Sequence, residues 1–268
     1  MQFHVTHLAR VASTMDAARE SAESGAPEGT TVVADEQTAG RGRAAHAWYS
    51  PAGQSLYVSV VLRPALAPSQ TGWITMLAAL AVCDCVSEIG DWSTEREPAQ
   101  SAAPNPFDAQ SSVSPSPVSI KWFNDVLLRG RKVCGVLVET SITGEQLDYA
   151  VLGIGLNVNT RFDEAPPDVR SRATSLLNEW RGQPAALDRA AVLRRLLARF
   201  GARYDALMAE PASPAAEYAA HVETLGRDVR ISAGDAWIEG RALRIDADGA
   251  LVVRTATGER RVGFGEVL

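Results

Sequence analysis

At 268 residues, the chain has room for one large domain, or for a main domain with a small appendage. With 46% apolar and 22% charged residues it has the composition of a globular protein, and a net charge of −6 supplies no general attraction to nucleic acid or an anionic membrane. No apolar run reads as long enough to span a bilayer, the N-terminus lacks a signal-peptide core, and Cys83, Cys85 and Cys134 form neither a disulfide framework nor a zinc pattern, so a cytoplasmic setting is expected.

In chain order, residues 2–11 alternate loosely, as an edge strand does. Ser13 and Asp16 have the spacing of a capping box, opening a helix that runs to about Ser24. The β-branched residues 30–34 and the longer run 54–62, stopped by Pro64, read as strands. Residues 71–89, rich in Ala, Leu and Val, read as a buried helix. Residues 93–119 hold five prolines and few large apolar side chains, so they are expected to be a mobile loop insertion with no chemistry of its own. Short strands return at 118–122, 125–128, 132–139 and 147–158, suggesting one continuous sheet. A helical stripe follows, with Leu193, Leu196, Leu197, Phe200 and Tyr204 on one face. From about Gly226, four short alternating strands separated by turns suggest a small β-barrel.

Four segments stand out chemically. Gly40-Arg41-Gly42-Arg43 combines close backbone approach with planar donors suited to carboxylate or phosphate, although a solvent-facing basic turn is an equal alternative. It matches neither a Walker loop nor GxGxxG. Lys121-Trp122-Phe123-Asn124-Asp125 ends one strand and turns into the next; its lysine is suited to bridging a carboxylate and a phosphate, and its Asn-Asp pair equally suits a plain hairpin turn. Gly135, within the 132–139 strand, is either a bulge or a place where another backbone or a flat ligand comes close. Gly153-Ile154-Gly155-Leu156-Asn157-Val158-Asn159 directs amides to a polar site or caps a turn.

In this order and spacing the segments resemble the biotin protein ligase family over nearly the whole chain. That family has a Ser-Thr-Asn near the start of its catalytic domain, then GRGRRGR-x-W, KWPND, KxxGIL-x-E and GxGxN, and a final strand with Gly-Glu-Val, matched here by Gly265, Glu266 and Val267. The resemblance implies an α+β fold. A mixed sheet backed by helices, of the class II synthetase-like biotin–lipoate ligase type, would occupy residues 1–222, and an SH3-like barrel residues 223–268. It implies that biotin and ATP, with Mg²⁺, form biotinyl-5′-AMP, from which biotin passes to a lysine of a biotin carboxyl carrier domain, that of acetyl-CoA carboxylase being the first candidate. No nucleophilic side chain is called for.

By the same resemblance, Ser13, Thr14, Met15 and Gln37 would surround the biotin ring system, with backbone contacts from Gly135. Arg41, Gly42 and Arg43 would close over the biotin carboxylate and the adenylate. Lys121, with Arg43, would be catalytic, touching carboxylate and α-phosphate. Trp48, Asn124 and Asn157 would line the ATP side, with Asn157 indirectly near the metal. Met15 replaces the family's Asn, residues 44–47 lack its further basic pair, and Phe123 replaces its Pro. His46 is read as a structural loop residue.

Only twelve residues precede Ser13, so a ligase without DNA-binding repressor function is expected. Monomer and homodimer stay equally open. The rival readings are a lipoate or octanoyl ligase and a degenerate biotin-binding module.

Overall fold

The structure is a computed structural model that describes residues 1–43, 46–90, 92, 116–180, 184–234 and 236–267. Most of the expected 93–119 insertion therefore lies outside the described residues, as do Ala44 and Ala45.

A seven-stranded mixed sheet dominates. Its strands are β1 (His4–Val11), β2 (Thr30–Gln37), β3 (Leu56–Leu62), β4 (Val118–Lys121), β5 (Asp125–Leu128), β6 (Arg131–Thr143) and β7 (Gln146–Leu156), in the spatial order β1-β2-β3-β7-β6-β5-β4. Only β1 and β2 run parallel, and α1 (Thr14–Glu23) makes the crossover that a parallel pair requires. The central strand β3 is buried at every position, which is why its sequence is nearly continuous apolar residues rather than an alternation.

The two faces carry different loads. Val58, Val60 and Leu62 of β3 join Leu152 and Ile154 of β7 in the main core, against α2 (Gly72–Ile89) and α5 (Arg189–Ala209). Val61 and Val151 face the other way, onto Met15, Ala18 and Ala22 of α1. Residues 68–89 are in fact long and apolar enough to pass as a membrane span, with a mean hydropathy of 1.5, which corrects the expectation that no such run exists. However, 72% of that stretch is buried inside the protein, and an all-round apolar helix is what a site between sheet and helix selects.

The capping box also needs correction. Ser13 is the N-cap residue of α1, but its side chain makes no capping bond, and the Asp16 carboxylate, which would complete the box, accepts from arginines described below. Helix α5 is capped: the Asp188 carboxylate accepts from the backbone N–H groups of Ala190 and Ala191. Three short helices were not foreseen: α3 (Pro167–Arg172), α4 (Leu176–Glu179) and α6 (Ala215–His221).

The C-terminal segment has five strands, one more than expected: β8 (Asp228–Ala233), β9 (Ala236–Ile245), β10 (Leu251–Thr255), β11 (Gly258–Val262) and β12 (Glu266–Val267). They form an antiparallel sheet ordered β11-β10-β9-β8-β12, and among the described residues no pairing joins its two edges into a closed barrel. This sheet is tied to the first at the β4 end. Trp122 donates its backbone N–H to Thr224 Oγ1 (3.1 Å) and its indole N–H to the Gly249 carbonyl (3.0 Å), while the Trp73 indole donates to the Ala247 carbonyl (2.7 Å). Trp122 is buried, so Trp122→Phe leaves the Gly249 carbonyl unsatisfied. It is expected to lower the unfolding free energy by about 1–3 kcal/mol in urea titration, with an unchanged m-value.

Candidate active site

Residues directly opposite each other in neighbouring strands share a face of the sheet. One such row crosses five strands: Tyr57 pairs with Gly155, Gly155 with Gly135, Gly135 with Asp125, and Asp125 with Lys121. The row behind it sets Ser59 opposite Gly153 and Gly153 opposite Leu137. All of these positions but Ser59 floor a cleft of about 1410 Å³, bordered also by residues 264–267 of the C-terminal segment and by residues 41–43 and 46–50. Thr14, Met15, Gln37, Arg41, Gly42, Arg43, Trp48, Lys121, Asn124, Gly135 and Asn157 all line it; Ser13 does not.

The glycines make the floor flat. A Cβ on Gly155 would lie 2.6 Å from Trp48 Cε2, and one on Gly135 would lie 2.8 Å from Trp48 Cζ3, so the indole can rest there only because both side chains are missing. What comes close over Gly135 is the indole of the chain's own Trp48, neither another backbone nor a ligand. The Lys132 ammonium lies 5.2 Å from the indole ring and pairs with Asp125 at 2.6 Å. The Trp48 Nε1 is buried without a hydrogen-bond partner. Met15 fills the equivalent position over Gly153, where a Cβ would lie 2.5 Å from its Sδ.

At one end the cleft is polar and uncharged. Gln37 Oε1 accepts from the Thr14 backbone N–H (2.9 Å) and hydroxyl (3.1 Å), the Thr14 hydroxyl accepts from Ser59 (2.8 Å), and Gln37 Nε2 donates to Ser50 (3.3 Å). Next to this chain the Ser13 hydroxyl is buried and has no partner, although a buried polar atom ordinarily has one. Gly40 is needed for the crossing of this segment: a Cβ there would lie 2.7 Å from Ser50 Oγ.

Beside the polar end lies an ionic ring that the sequence reading missed. Arg41 donates to Asp16 (2.7 Å) and to Glu139 (3.1 Å), and Arg19 donates to the same two carboxylates at 2.6 and 3.2 Å. The Asp16 hydrogen bond and the two negative charges raise the Arg41 pKa above its ordinary value, against a lowering from burial. Each pair is partly exposed, and such pairs contribute only about 0–1 kcal/mol, so an arriving anion can compete for Arg41. The only advance signal was Glu139 at the end of the 132–139 strand, which carried no assigned role.

Arg43 crosses the cleft. Its Nη1 donates to Asn124 Oδ1 (3.3 Å) and to the Gly265 carbonyl of the second sheet (3.2 Å), and its guanidinium lies 5.3 Å from the Phe123 ring centroid. Burial pulls its pKa below the ordinary arginine value, opposed by the charges of Asp125 and Glu266. Asn124 Nδ2 in turn donates to the Val136 carbonyl (2.6 Å), fixing the β4–β5 turn against β6. Asn157 is buried and donates to the Thr174 carbonyl (3.0 Å). His46 is exposed; its backbone closes the loop by accepting from Gly42 N–H (2.7 Å) and donating to the Arg43 carbonyl (3.0 Å).

Lys121 differs from these groups. Arg41, Lys132, Arg172 and Arg227 each lie within ion-pair distance of a carboxylate, and Arg43 and Arg131 bond to neutral oxygens. The Lys121 ammonium lines the same cleft, and no hydrogen bond or ion pair engages it among the described residues. The three thiols offer no competing chemistry, since burial pushes Cys83 and Cys85 up to about 12 and Cys134 well above its ordinary value.

Residues 7–157 match the Biotin/lipoate A/B protein ligase family, and residues 224–268 match the biotin protein ligase C terminal domain. The chain belongs to the biotin protein ligase family. It is 34% identical to the biotin–[acetyl-CoA-carboxylase] ligase of Mycobacterium tuberculosis, over 97% of this chain and 87% of that protein. It is 32% identical to the bifunctional ligase/repressor BirA of Bacillus spizizenii, over 98% of this chain and 73% of that protein. In fold it resembles the biotin protein ligase from Aquifex aeolicus in complex with biotin and ATP, with a TM-score of 0.73 and 27% identity over 99% of this chain and 97% of that one.

Gly155→Ala tests the glycine floor. The new methyl is expected to lift Trp48 and weaken biotin binding by about 5- to 100-fold in titration calorimetry, in line with ordinary overpacking costs. An unchanged Kd contradicts the placement.

Proposed function

We propose that this chain is an ATP-dependent ligase that couples biotin to a carrier protein in two steps. The biotin carboxylate attacks the α-phosphate of ATP, forming biotinyl-5′-AMP and releasing pyrophosphate. A lysine amine of a biotin carrier domain then attacks the acyl carbon, the amide bond forms, and AMP leaves with the electron pair while the amine loses a proton. The observation that carries this reading is the uncommitted Lys121 ammonium at the end of a flat glycine row. That combination suits a thin ring system ending in an anion.

In this reading the biotin ring lies in the cleft beside the Trp48-covered floor, and Ser13, Thr14 and Gln37 take its ureido group. The polar, uncharged side chains of Thr14, Gln37 and Ser50 at that end of the cleft support the choice. Met15 and Gly135 pack against the ring. Lys121 bridges carboxylate and α-phosphate, where positioning and charge neutralisation account for most of the rate. Arg41, Gly42 and Arg43 form the cover that keeps water from the adenylate. Trp48, Asn124 and Asn157 border the nucleotide.

Mg²⁺ would arrive with the triphosphate and keep most of its water ligands. The Asn157 amide oxygen is our candidate for an indirect contact, and the bound ion would offset phosphate charge.

The catalytic unit is assigned to residues 1–222 and the appended unit to residues 223–268. The name of the Mycobacterium tuberculosis relative favours the carrier domain of acetyl-CoA carboxylase as acceptor. The net charge of −6 and three buried free thiols support a cytoplasmic enzyme that does not bind DNA.

The test is transfer to a purified biotin carrier domain with Mg·ATP, read by streptavidin blot, with lipoate as the competing substrate. Labelling with biotin and none with lipoate is expected; equal use of lipoate, or no transfer, contradicts the assignment. Arg43→Gly is expected to keep adenylate synthesis while spreading label to bystander lysines, and unchanged selectivity would remove Arg43 from the cover.

A further inference from the structure

The Phe123 ring sits where three parts of the molecule meet. On one side lies the Arg43 guanidinium, 5.3 Å from the ring centroid. On another the second sheet's 246–249 turn comes so close that a Cβ on Gly249 would lie 3.3 Å from Phe123 Cε2. The Trp122 indole packs edge-on at 5.8 Å, and the Phe123 carbonyl accepts from the buried Tyr218 hydroxyl at 2.6 Å. The ring is thus held from the core side and presents a π-face to the loop. Among the described residues Arg43 has no carboxylate partner within ion-pair distance; its hydrogen bonds go to the carbonyl oxygens of Asn124 and Gly265, with the charges of Asp125 and Glu266 farther off. For a partly desolvated guanidinium whose hydrogen bonds all go to neutral oxygens, an aromatic face is a substantial share of what fixes its position.

We infer that Phe123 is a positioning residue for Arg43, clamping the Gly40–Arg43 loop to the second sheet so that both close over the reaction cleft together. The family pattern described above has proline at this position, and a pyrrolidine ring offers no π-face, so loop closure in this chain depends on a contact that such a proline cannot make. The inference rests on the proposed ligase activity and adds to it the element that sets how long the adenylate stays enclosed.

The experiment compares the full-length protein with Phe123→Leu, which keeps apolar bulk without the π-face, and Phe123→Tyr, which keeps the face. Two quantities are read: biotin-dependent pyrophosphate exchange, which reports adenylate synthesis, and the ratio of label on serum albumin to label on the carrier domain, which reports escape. Phe123→Leu is expected to raise the escape ratio by about 2- to 30-fold, the range a cation–π contact spans, while exchange stays within about twofold. Phe123→Tyr is expected to restore the wild-type ratio.

An unchanged ratio in Phe123→Leu overturns the inference. So does equal leakage from both variants, which would assign the effect to the turn rather than to the π-face, and so does loss of exchange in Phe123→Leu, which would make the ring part of the adenylation site. Absence of exchange in the wild-type protein overturns the ligase reading itself and this inference with it, so the two failures are distinguishable.

Discussion

Bringing a carboxylate and a triphosphate into contact demands positive charge at one point, and a protein of net charge −6 supplies it only by controlling which cations are already neutralised. The cleft does this by pairing. Asp16 and Glu139 hold Arg41 and Arg19, Asp125 holds Lys132, and carbonyl oxygens hold Arg43. Lys121, in the same cross-strand row as Asp125, is left over. In the proposed mechanism the neutralised cations act as scaffold, while the Lys121 ammonium, unpaired among the described residues, is the group that responds when an anion arrives.

That arrangement depends in turn on register. Lys121, Asp125, Gly135, Gly155 and Tyr57 are opposite one another across five strands, so a one-residue slip in the β6–β7 pairing would turn one of the two glycines to the core face and break the flat floor. The main core on the reverse side, with Val136, Leu152 and Ile154 packed under α2, resists such a slip because those side chains would have to face the cleft. Packing on one face thereby fixes chemistry on the other. The second sheet is bound to this frame through Trp122 and Trp73, and it reaches back into the cleft through Gly265.

Much of this was legible in the residue pattern, for identifiable reasons. The long strands and helices carry strong periodicity; α2 was readable as a core helix because it is apolar all round, and β3 as a strand because it is β-branched and short. The motif spacing pointed to the family without any geometry. What stayed hidden depends on contacts between distant residues. Asp16 has the spacing of a capping residue, and its pairing with Arg19 and the distant Arg41 becomes apparent only in the fold. Gly135 was marked as a close-approach position, but its partner Trp48 becomes apparent only once β6 is paired with β7. Helices of four to seven residues such as α4 and α6 are too short to show a period, and the two-residue strand β12 is defined by its partner β8 alone.

In the proposed mechanism Lys121 supplies the charge on which adenylation depends, and biotin-dependent exchange of labelled pyrophosphate into ATP measures that step without any acceptor. Wild-type protein is predicted to exchange, and Lys121→Ala to retain biotin binding while losing about 10²- to 10³-fold in exchange rate. Near-normal exchange in Lys121→Ala would contradict the account, since one of the already paired cations would then be supplying the charge.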